Sequence, residues 1–292
     1  MNGNPSSGGK IVFLFLGFSN CEIEVCGGNE DIWNTDTSVG LEGQPCATGC
    51  PNLNNIVQVN QVPWNQVAGD PTVQQSFLYQ VYHPTPPLVG THVVAFNGAA
   101  GAQTLSNWDP NGYFTTHPCG TSHNPECDYD IVKTQLTANG YSEKQVQVVF
   151  FKNARGNPHC DLKFTQCVQG QGEPDAYTSE RILGNILRYL KCCKADGTPR
   201  YSNLKQVFLS SRIYGGYANG KTHGCINPEP YAYESGIAVQ RLIVAQIKQA
   251  AGIALVDPYA GSVDYGNAPW FDWGPYLWAD GEIKRKRPIK LV

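Results

Sequence analysis

A short apolar run near the N-terminus most constrains the fold. Residues 11–16 are six apolar residues in a row, and the run breaks at Gly17. Such a run, rich in β-branched and aromatic residues, is typical of a strand that is buried on both faces. Gly17 lets the chain turn sharply as it leaves the sheet, so Ser19 is expected at the carboxyl edge, where open α/β sheets bind ligands. Ser19 is then either a candidate nucleophile or the N-cap of the next segment.

The composition is that of a folded, loop-rich globular protein. The 292 residues are 41% apolar and 15% charged, with 31 glycines and 20 prolines, which excludes a disordered chain. A formal net charge of -3 gives no general attraction to nucleic acid or to an anionic membrane. Neither a phosphate-binding loop nor a dinucleotide fingerprint occurs, so we predict no cofactor.

Strands and helices alternate along the chain. Four apolar strands are predicted to begin near Ile11, Thr91, Gln145 and Gln206, and amphipathic helices are predicted at residues 177–194 and 231–251. This alternation predicts a three-layer α/β/α sandwich around a central parallel sheet. Residues 29–80 have little periodicity and are interpreted as a long, disulfide-braced loop.

The chain is predicted to form a single domain. We assign residues 1–10 to a disordered leader and residues 11–281 to the α/β domain. Residues 282–292 carry a basic cluster and are interpreted as a solvated tail, the truncated end of the domain. No apolar run approaches the length that spans a membrane.

The eleven cysteines indicate an oxidising compartment. Four close pairs lie in loops, a spacing typical of disulfides in exported proteins. Zinc is the alternative, but no spacing matches a common zinc motif, so we favour disulfides and predict no metal. The polar residues before Ile11 are not typical of a signal peptide; we expect a secreted or periplasmic protein whose signal peptide is not present in this chain. The four pairs are Cys21 with Cys26, Cys46 with Cys50, Cys119 with Cys127 and Cys160 with Cys167.

The ends of the predicted strands carry chemically useful groups. Ser19 follows the first strand, a glycine-rich turn at residues 97–101 follows the second, and Asn153 follows the third. A nucleophile, closely approaching backbone amides and a side-chain amide are the groups that surround a tetrahedral oxyanion.

In these features the sequence resembles the SGNH (GDSL-like) hydrolases. The resemblance implies that Ser19 is the nucleophile of an ester hydrolase, that Gly98 or Gly101 is the oxyanion glycine, and that Asn153 is the oxyanion asparagine. The family's Gly-Asp-Ser-Leu block stands here as Gly-Phe-Ser-Asn, and its Gly-x-Asn-Asp block as Lys-Asn-Ala-Arg.

Longer blocks resemble a group of uncharacterised bacterial exported proteins of SGNH type. This resemblance extends over most of the chain and implies the fold. The blocks are at residues 17–20, 97–104, 209–217, 227–234 and 273–281.

The base expected of this family is not found in its usual form. SGNH enzymes carry a late Asp-x-x-His block, and no Asp-x-x-His occurs in this chain, whose six histidines all lie before residue 224. We therefore expect a truncated or altered C-terminus. His223 is a candidate substitute base; its alternative is a solvated loop histidine.

Two further groups have open interpretations. Arg212 and Tyr214 follow the fourth strand, where they are candidates to bind substrate, although Arg212 could equally pair with Glu229 or Glu234 to hold a loop. Four aromatic residues near the C-terminus either pack into the core, which we favour, or stack on a sugar ring. They are Trp270, Trp273, Tyr276 and Trp278.

Two functional classes follow from the sequence. The first is a serine esterase that acts on an extracellular ester, such as an acyl group on a carbohydrate, and that is impaired by loss of the Asp-His block. The second is a non-catalytic binding or structural protein on the same scaffold. A small-molecule or carbohydrate ester is the expected partner, with no nucleic acid and no membrane; the oligomeric state stays open.

Overall fold

The apolar run near the N-terminus forms β1 (Ile11–Gly17), a central strand of a parallel sheet. The strands are β1, β2 (Val93–Asn97), β3 (Val146–Lys152), β4 (Gln206–Ser210) and β5 (Trp270–Trp273). The helices are α1 (Phe77–Tyr82), α2 (Asp128–Ala138), α3 (Asp175–Lys191) and α4 (Tyr231–Ala250). The structure is a computed structural model that describes residues 8–18, 21, 77–82, 84, 86–99, 103–111, 128–156, 158–164, 167, 172–192, 197–213 and 229–275.

In the described part of the chain, the five strands of the sheet are all parallel and lie in the order β2-β1-β3-β4-β5. The chain moves from β1 to β2 in one direction, then passes back across β1 to β3 and continues to β4 and β5. The direction of winding therefore reverses between β1 and β3. The prediction of four parallel strands in one sheet is confirmed, and so are the two predicted helices, which are α3 and α4.

Two apolar clusters lie on the sheet. The larger one joins alternate strand residues such as Leu14, Phe151 and Leu209 to α2, α3 and α4. The other contains Phe15 and Phe150 together with Leu78 of α1. Because parallel crossovers are right-handed, reversing the direction of winding moves the connecting helix to the other face of the sheet. This accounts for α1 packing apart from the other three helices.

The first helix corrects part of the predicted loop. Phe77 to Gln80 belong to α1, whereas residues 29–76 lie outside the described part of the chain. Tyr82 fixes α1 to the edge of the sheet, because its hydroxyl oxygen accepts the Ala95 amide of the edge strand β2 at 2.7 Å. Burial raises the pKa of that hydroxyl to about 12, so it remains protonated at neutral pH.

The fifth strand differs from the prediction made for its aromatic residues. Trp270 and Trp273 do not pack into the core: they belong to β5 and are 42% and 38% exposed, whereas Phe271 between them is buried. The buried side chain of Gln246 holds this strand, since its carbonyl oxygen accepts the Phe271 amide at 3.1 Å and its amide group donates to Pro269 O at 2.9 Å. Tyr276 and Trp278 lie outside the described residues.

One predicted disulfide is present. Cys160 and Cys167 are bonded to each other, which confirms that prediction; each of the other three pairs includes residues outside the described part. The bridge closes a loop between β3 and α3. Across the described ranges, no helix is long and apolar enough to span a membrane.

Removal of this disulfide should lower stability moderately. A cross-link that closes a loop of this length is worth roughly 2–3 kcal/mol through the entropy of the unfolded chain. We expect a Cys160→Ser/Cys167→Ser variant to lose about that much in urea unfolding. Peptide mapping without reduction should recover residues 160 and 167 in one cross-linked product; free thiols at both positions in protein made under oxidising conditions would contradict the assignment.

A second stability prediction concerns Asp128 at the start of α2. Burial raises the pKa of its carboxyl group from 3.8 to about 7. A carboxyl group whose pKa is higher in the folded state loses stabilisation as the pH rises from the unfolded pKa to the folded one. Asp128→Asn should therefore stabilise the protein at pH 8 by on the order of 2–4 kcal/mol, and should change little at pH 4.

Urea unfolding at the two pH values measures this difference. Asp272→Asn is the matched control, because it makes the same change at an exposed position on β5. An equal effect of Asp128→Asn at pH 4 and pH 8 would show that ionisation of Asp128 does not limit stability.

Candidate functional site

The candidate site lies at the carboxyl edge of the sheet, where β1 and β3 end side by side. Gly17 of β1 and Lys152 of β3 are register partners at this edge. Loops that leave two such strands in opposite directions leave a crevice between them, and ligands of open α/β sheets bind there.

Gly17 makes the exit from β1 unusually tight. Its φ is 144°, a region that residues with a side chain rarely adopt, and a Cβ there would overlap the carbonyl oxygen of Lys152. The next amide, of Phe18, donates to that same oxygen at 3.4 Å. Only glycine fits this position. Ser19 lies outside the described residues, and Phe18 is the last described residue before it.

The first backbone amide of the turn after β2, that of Gly98, is hydrogen-bonded within the sheet. The Gly98 N–H donates to Phe15 O at 2.8 Å, and the Ala99 N–H donates to the Asn97 side chain at 3.0 Å. Gly98 is buried, and a Cβ on it would approach Val132 to 2.9 Å. The backbone therefore lies close to the core here, but the Gly98 amide already donates its hydrogen bond to Phe15 O. Gly101 lies outside the described residues.

Asn153 connects the ends of β3 and β2. It is buried, and its amide nitrogen donates to Gln103 O at 3.0 Å while its oxygen accepts the Ala154 amide at 2.8 Å. The Leu105 amide donates to Ala154 O at 2.9 Å. The structure thus brings Asn153 against the segment that follows the glycine-rich turn, as its position after β3 predicts.

Arg212 lies beside the end of β1. Its guanidinium carbon is 5.2 Å from the centre of the Phe18 ring. The two carboxylates considered as its alternative partners accept backbone amides: Glu234 accepts the Leu162 amide at 3.0 Å, and Glu229 accepts the Tyr233 amide at 3.1 Å. Tyr214 and His223 lie outside the described residues.

Carboxylates at this edge hold backbone amides near helix N-termini. Asp175, the first residue of α3, accepts the amides of His159 and Cys160 at 2.5 Å each and pairs with Arg155 at 2.8 Å. Burial raises the pKa of the Glu234 carboxyl above its ordinary value, and the hydrogen bond from the Leu162 amide offsets only part of that rise. Both carboxylates sit in the first turn of a helix, where the helix dipole favours negative charge.

Among the described residues, no group of three His, Cys, Asp or Glu side chains could hold a metal ion.

Sequence reasoning missed Lys152 at this edge. It is only 1% exposed although it ends the apolar run of β3. A charged residue closing a central buried strand is the signal that could have identified it, because lysine is almost never fully buried unless it has a partner. Phe18 was likewise missed as the aromatic partner of Arg212.

Comparison of the chain with protein-family models, with curated proteins and with solved structures finds no match in any of the three. Function is therefore inferred from the residues and geometry of this edge.

The tight exit from β1 can be tested by substitution. Gly17→Ala places a methyl group against the Lys152 carbonyl at a φ that alanine rarely adopts, so we expect a loss of at least about 1–3 kcal/mol in the free energy of unfolding. Gly140→Ala is the control: its φ is also positive, at 76°, but a Cβ there meets nothing within 4 Å. A loss no greater in Gly17→Ala than in Gly140→Ala would show that the contact with Lys152 does not constrain the turn.

Proposed function

We propose that the protein is a serine-dependent ester hydrolase of SGNH type, with the three-layer α/β/α arrangement of that family. Ser19 is the nucleophile in this proposal. Its oxygen attacks the carbonyl carbon of an ester, and the resulting oxyanion is stabilised by preorganised donors at the carboxyl edge.

The observation that carries the proposal is the turn at the end of β1. Gly17 is pressed against Lys152 O and Phe18 donates to the same atom, so the chain leaves the sheet at the boundary of β1 and β3. Ser19 follows one residue later. This boundary is where the winding reverses, and it is the ligand-binding position of sheets with this strand order.

Asn153 and Gly101 are the proposed oxyanion donors besides the Ser19 amide. Gly101 stands two residues before Gln103, whose carbonyl oxygen accepts from Asn153, and two residues span at most about 7 Å. The Asn153 amide group has a second N–H for an oxyanion. Of the two glycines considered, Gly98 already donates its amide to Phe15 O, which favours Gly101.

No Asp-x-x-His sequence occurs in the chain, so the proposed site lacks the family's usual base, and His223 is the candidate substitute. Without an efficient base, an oxyanion hole and substrate binding alone retain about 10³-fold catalysis over water. We therefore propose that this chain hydrolyses activated esters slowly.

An acylated carbohydrate in an extracellular or periplasmic compartment is the proposed substrate. The disulfide between Cys160 and Cys167 supports an oxidising compartment. Trp270 and Trp273 are exposed on β5, and Trp273 ends that strand at the carboxyl edge. Exposed indole rings are suited to stacking on a sugar ring, and this supports the carbohydrate class.

A specific observation favours a second candidate, a non-catalytic binding protein on the same scaffold. Two groups considered for the oxyanion hole are engaged within the protein: the Gly98 amide donates to Phe15 O, and Asn153 uses both its oxygen and one N–H. A crevice of this kind can bind an ester without hydrolysing it.

Ser19→Ala separates the two candidates. We expect the wild type to hydrolyse p-nitrophenyl acetate slowly and Ser19→Ala to fall to the background rate, because the alanine lacks the attacking oxygen. Ser202→Ala is the control, since Ser202 is exposed and precedes β4 at the opposite edge of the sheet. Activity that survives Ser19→Ala would remove Ser19 as the nucleophile and would favour the binding protein; loss of activity in His223→Ala would identify the base.

A further inference from the structure

Residues 257–263, which follow α4, pack across α3 and are here called the strap. Gly184 of α3 leaves room for the strap, since a Cβ there would overlap the Ala260 carbonyl oxygen. Arg188, one turn further along α3, donates to Ala260 O at 2.5 Å and to Ser262 O at 3.0 Å. The second half of the strap is therefore held by an arginine, which stays charged at any ordinary pH.

The first half of the strap is held by a carboxyl group instead. The Asp257 side chain accepts the amides of Tyr259 and Ala260 at 2.9 Å each, and it lies within hydrogen-bonding reach of the Glu180 carboxyl group of α3. Residues 255–256, directly before the strap, are 89% and 60% exposed, so they contribute little packing. The contact between the two carboxyl groups is thus the main tie between this half and α3.

Only one oxygen of Glu180 is paired. The side chain is fully buried, and its Oε2 accepts Arg241 Nε of α4 at 2.5 Å, whereas Oε1 has no hydrogen-bond partner in the described structure. The Arg241 guanidinium is itself positioned by two rings, 4.5 Å from that of Tyr177 and 5.5 Å from that of Tyr259. A buried oxygen without a donor is costly, and an ionised Asp257 can only accept. A proton on Oε1 removes this cost, because Oε1–H then donates to Asp257.

The charged groups around Glu180 act in opposite directions. Burial raises the pKa of its carboxyl group above the ordinary value, Arg241 of α4 lowers it, and Asp257 of the strap raises it. The stabilisation from a carboxyl group whose pKa is raised by folding is complete below the unfolded pKa and is lost as the pH rises through the folded pKa. The contact between Glu180 and Asp257 is therefore expected to weaken with rising pH, while the contacts of Arg188 persist.

We propose that Glu180 and Asp257 form a pH-sensitive latch on the strap. One proton shared between the two carboxyl groups fixes residues 257–259 to α3. When this proton is lost to water, the two carboxylates repel each other, and the first half of the strap separates from the helix while Arg188 holds the second half. The latch uses no residue of the candidate site, so it is independent of the proposed function.

Hydrogen exchange of the full chain, followed by mass spectrometry at pH 4.5 and pH 8, tests the latch. Rates are divided by those of an unstructured chain at the same pH, which gives a protection factor. We expect the protection factor of residues 257–260 to be roughly 10- to 100-fold lower at pH 8, the scale expected when a buried polar group loses its hydrogen bond. Residues 146–152 of β3 are the internal reference, because a general loss of stability would lower their protection as well.

Two substitutions replace the shared proton with an amide group. The amide of Glu180→Gln donates to Asp257 at every pH, so the loss of protection at pH 8 should disappear. Asp257→Asn should do the same from the strap, because its oxygen still accepts the two strap amides and its nitrogen donates to Glu180. Glu173→Gln is the matched control: it removes the carboxylate that pairs with Arg181 near the start of α3, and it should leave the pH dependence of the strap as in the wild type.

A loss of protection that is confined to the strap and is removed by either amide substitution supports the latch. Protection of the wild-type strap that does not change relative to β3 between the two pH values overturns it. A pH-dependent loss of equal size in the wild type, in Glu180→Gln and in Asp257→Asn also overturns it, since the proton would then belong to another group.

Discussion

The pairing of β1 with β3 is the constraint on which the rest of the structure depends. Both strands are central and buried, and their register brings Gly17 against the Lys152 carbonyl. Because β2 pairs on the other side of β1, the chain must reverse its winding at this boundary. The right-handedness of parallel crossovers then assigns α1 to one face of the sheet and α2, α3 and α4 to the other, and such a boundary is where open α/β sheets bind ligands in general.

Strands buried on both faces could be predicted from sequence because burial demands an uninterrupted apolar run. The run that forms β4 and the longer run of β3 meet that condition. The segment Trp270–Trp273 does not: only Phe271 is buried, and the strand is held by tertiary contacts from Gln246 and by pairing with β4. Its extended conformation is therefore determined by these tertiary contacts, and the local sequence pattern does not predict it. The same holds for α1, six residues long, because so short a helix depends on packing and on the bond between Tyr82 and Ala95.

The candidate site was predictable only at the level of which strand end carries which residue. Parallel strands bring their carboxyl ends to one edge, so Asn153 and Arg212 could be placed there from their positions in the chain. The hydrogen-bond partner of each polar group could not be predicted in the same way. The Gly98 amide continues the hydrogen bonding of the sheet to Phe15, and this depends on where β2 stops pairing, which shifts by a residue or two without any change in the apolar pattern. The contact between Arg212 and Phe18 joins residues 194 positions apart, a separation at which only the fold determines proximity.

The charges at this edge have different physical origins. Asp175 and Glu234 sit in the first turns of α3 and α4, where the helix dipole and unpaired backbone amides favour carboxylates, and each accepts amides of the loop after β3. These acids are thus accounted for by the needs of the fold. Arg212 has a different origin: its backbone amide donates to the Ser235 hydroxyl of α4, and its guanidinium carbon lies 5.2 Å from the centre of the Phe18 ring at the end of β1. A cation and an aromatic ring attract each other through the quadrupole of the ring. Because β3 lies between β1 and β4 in the sheet, this contact joins the ends of two strands that do not pair with each other.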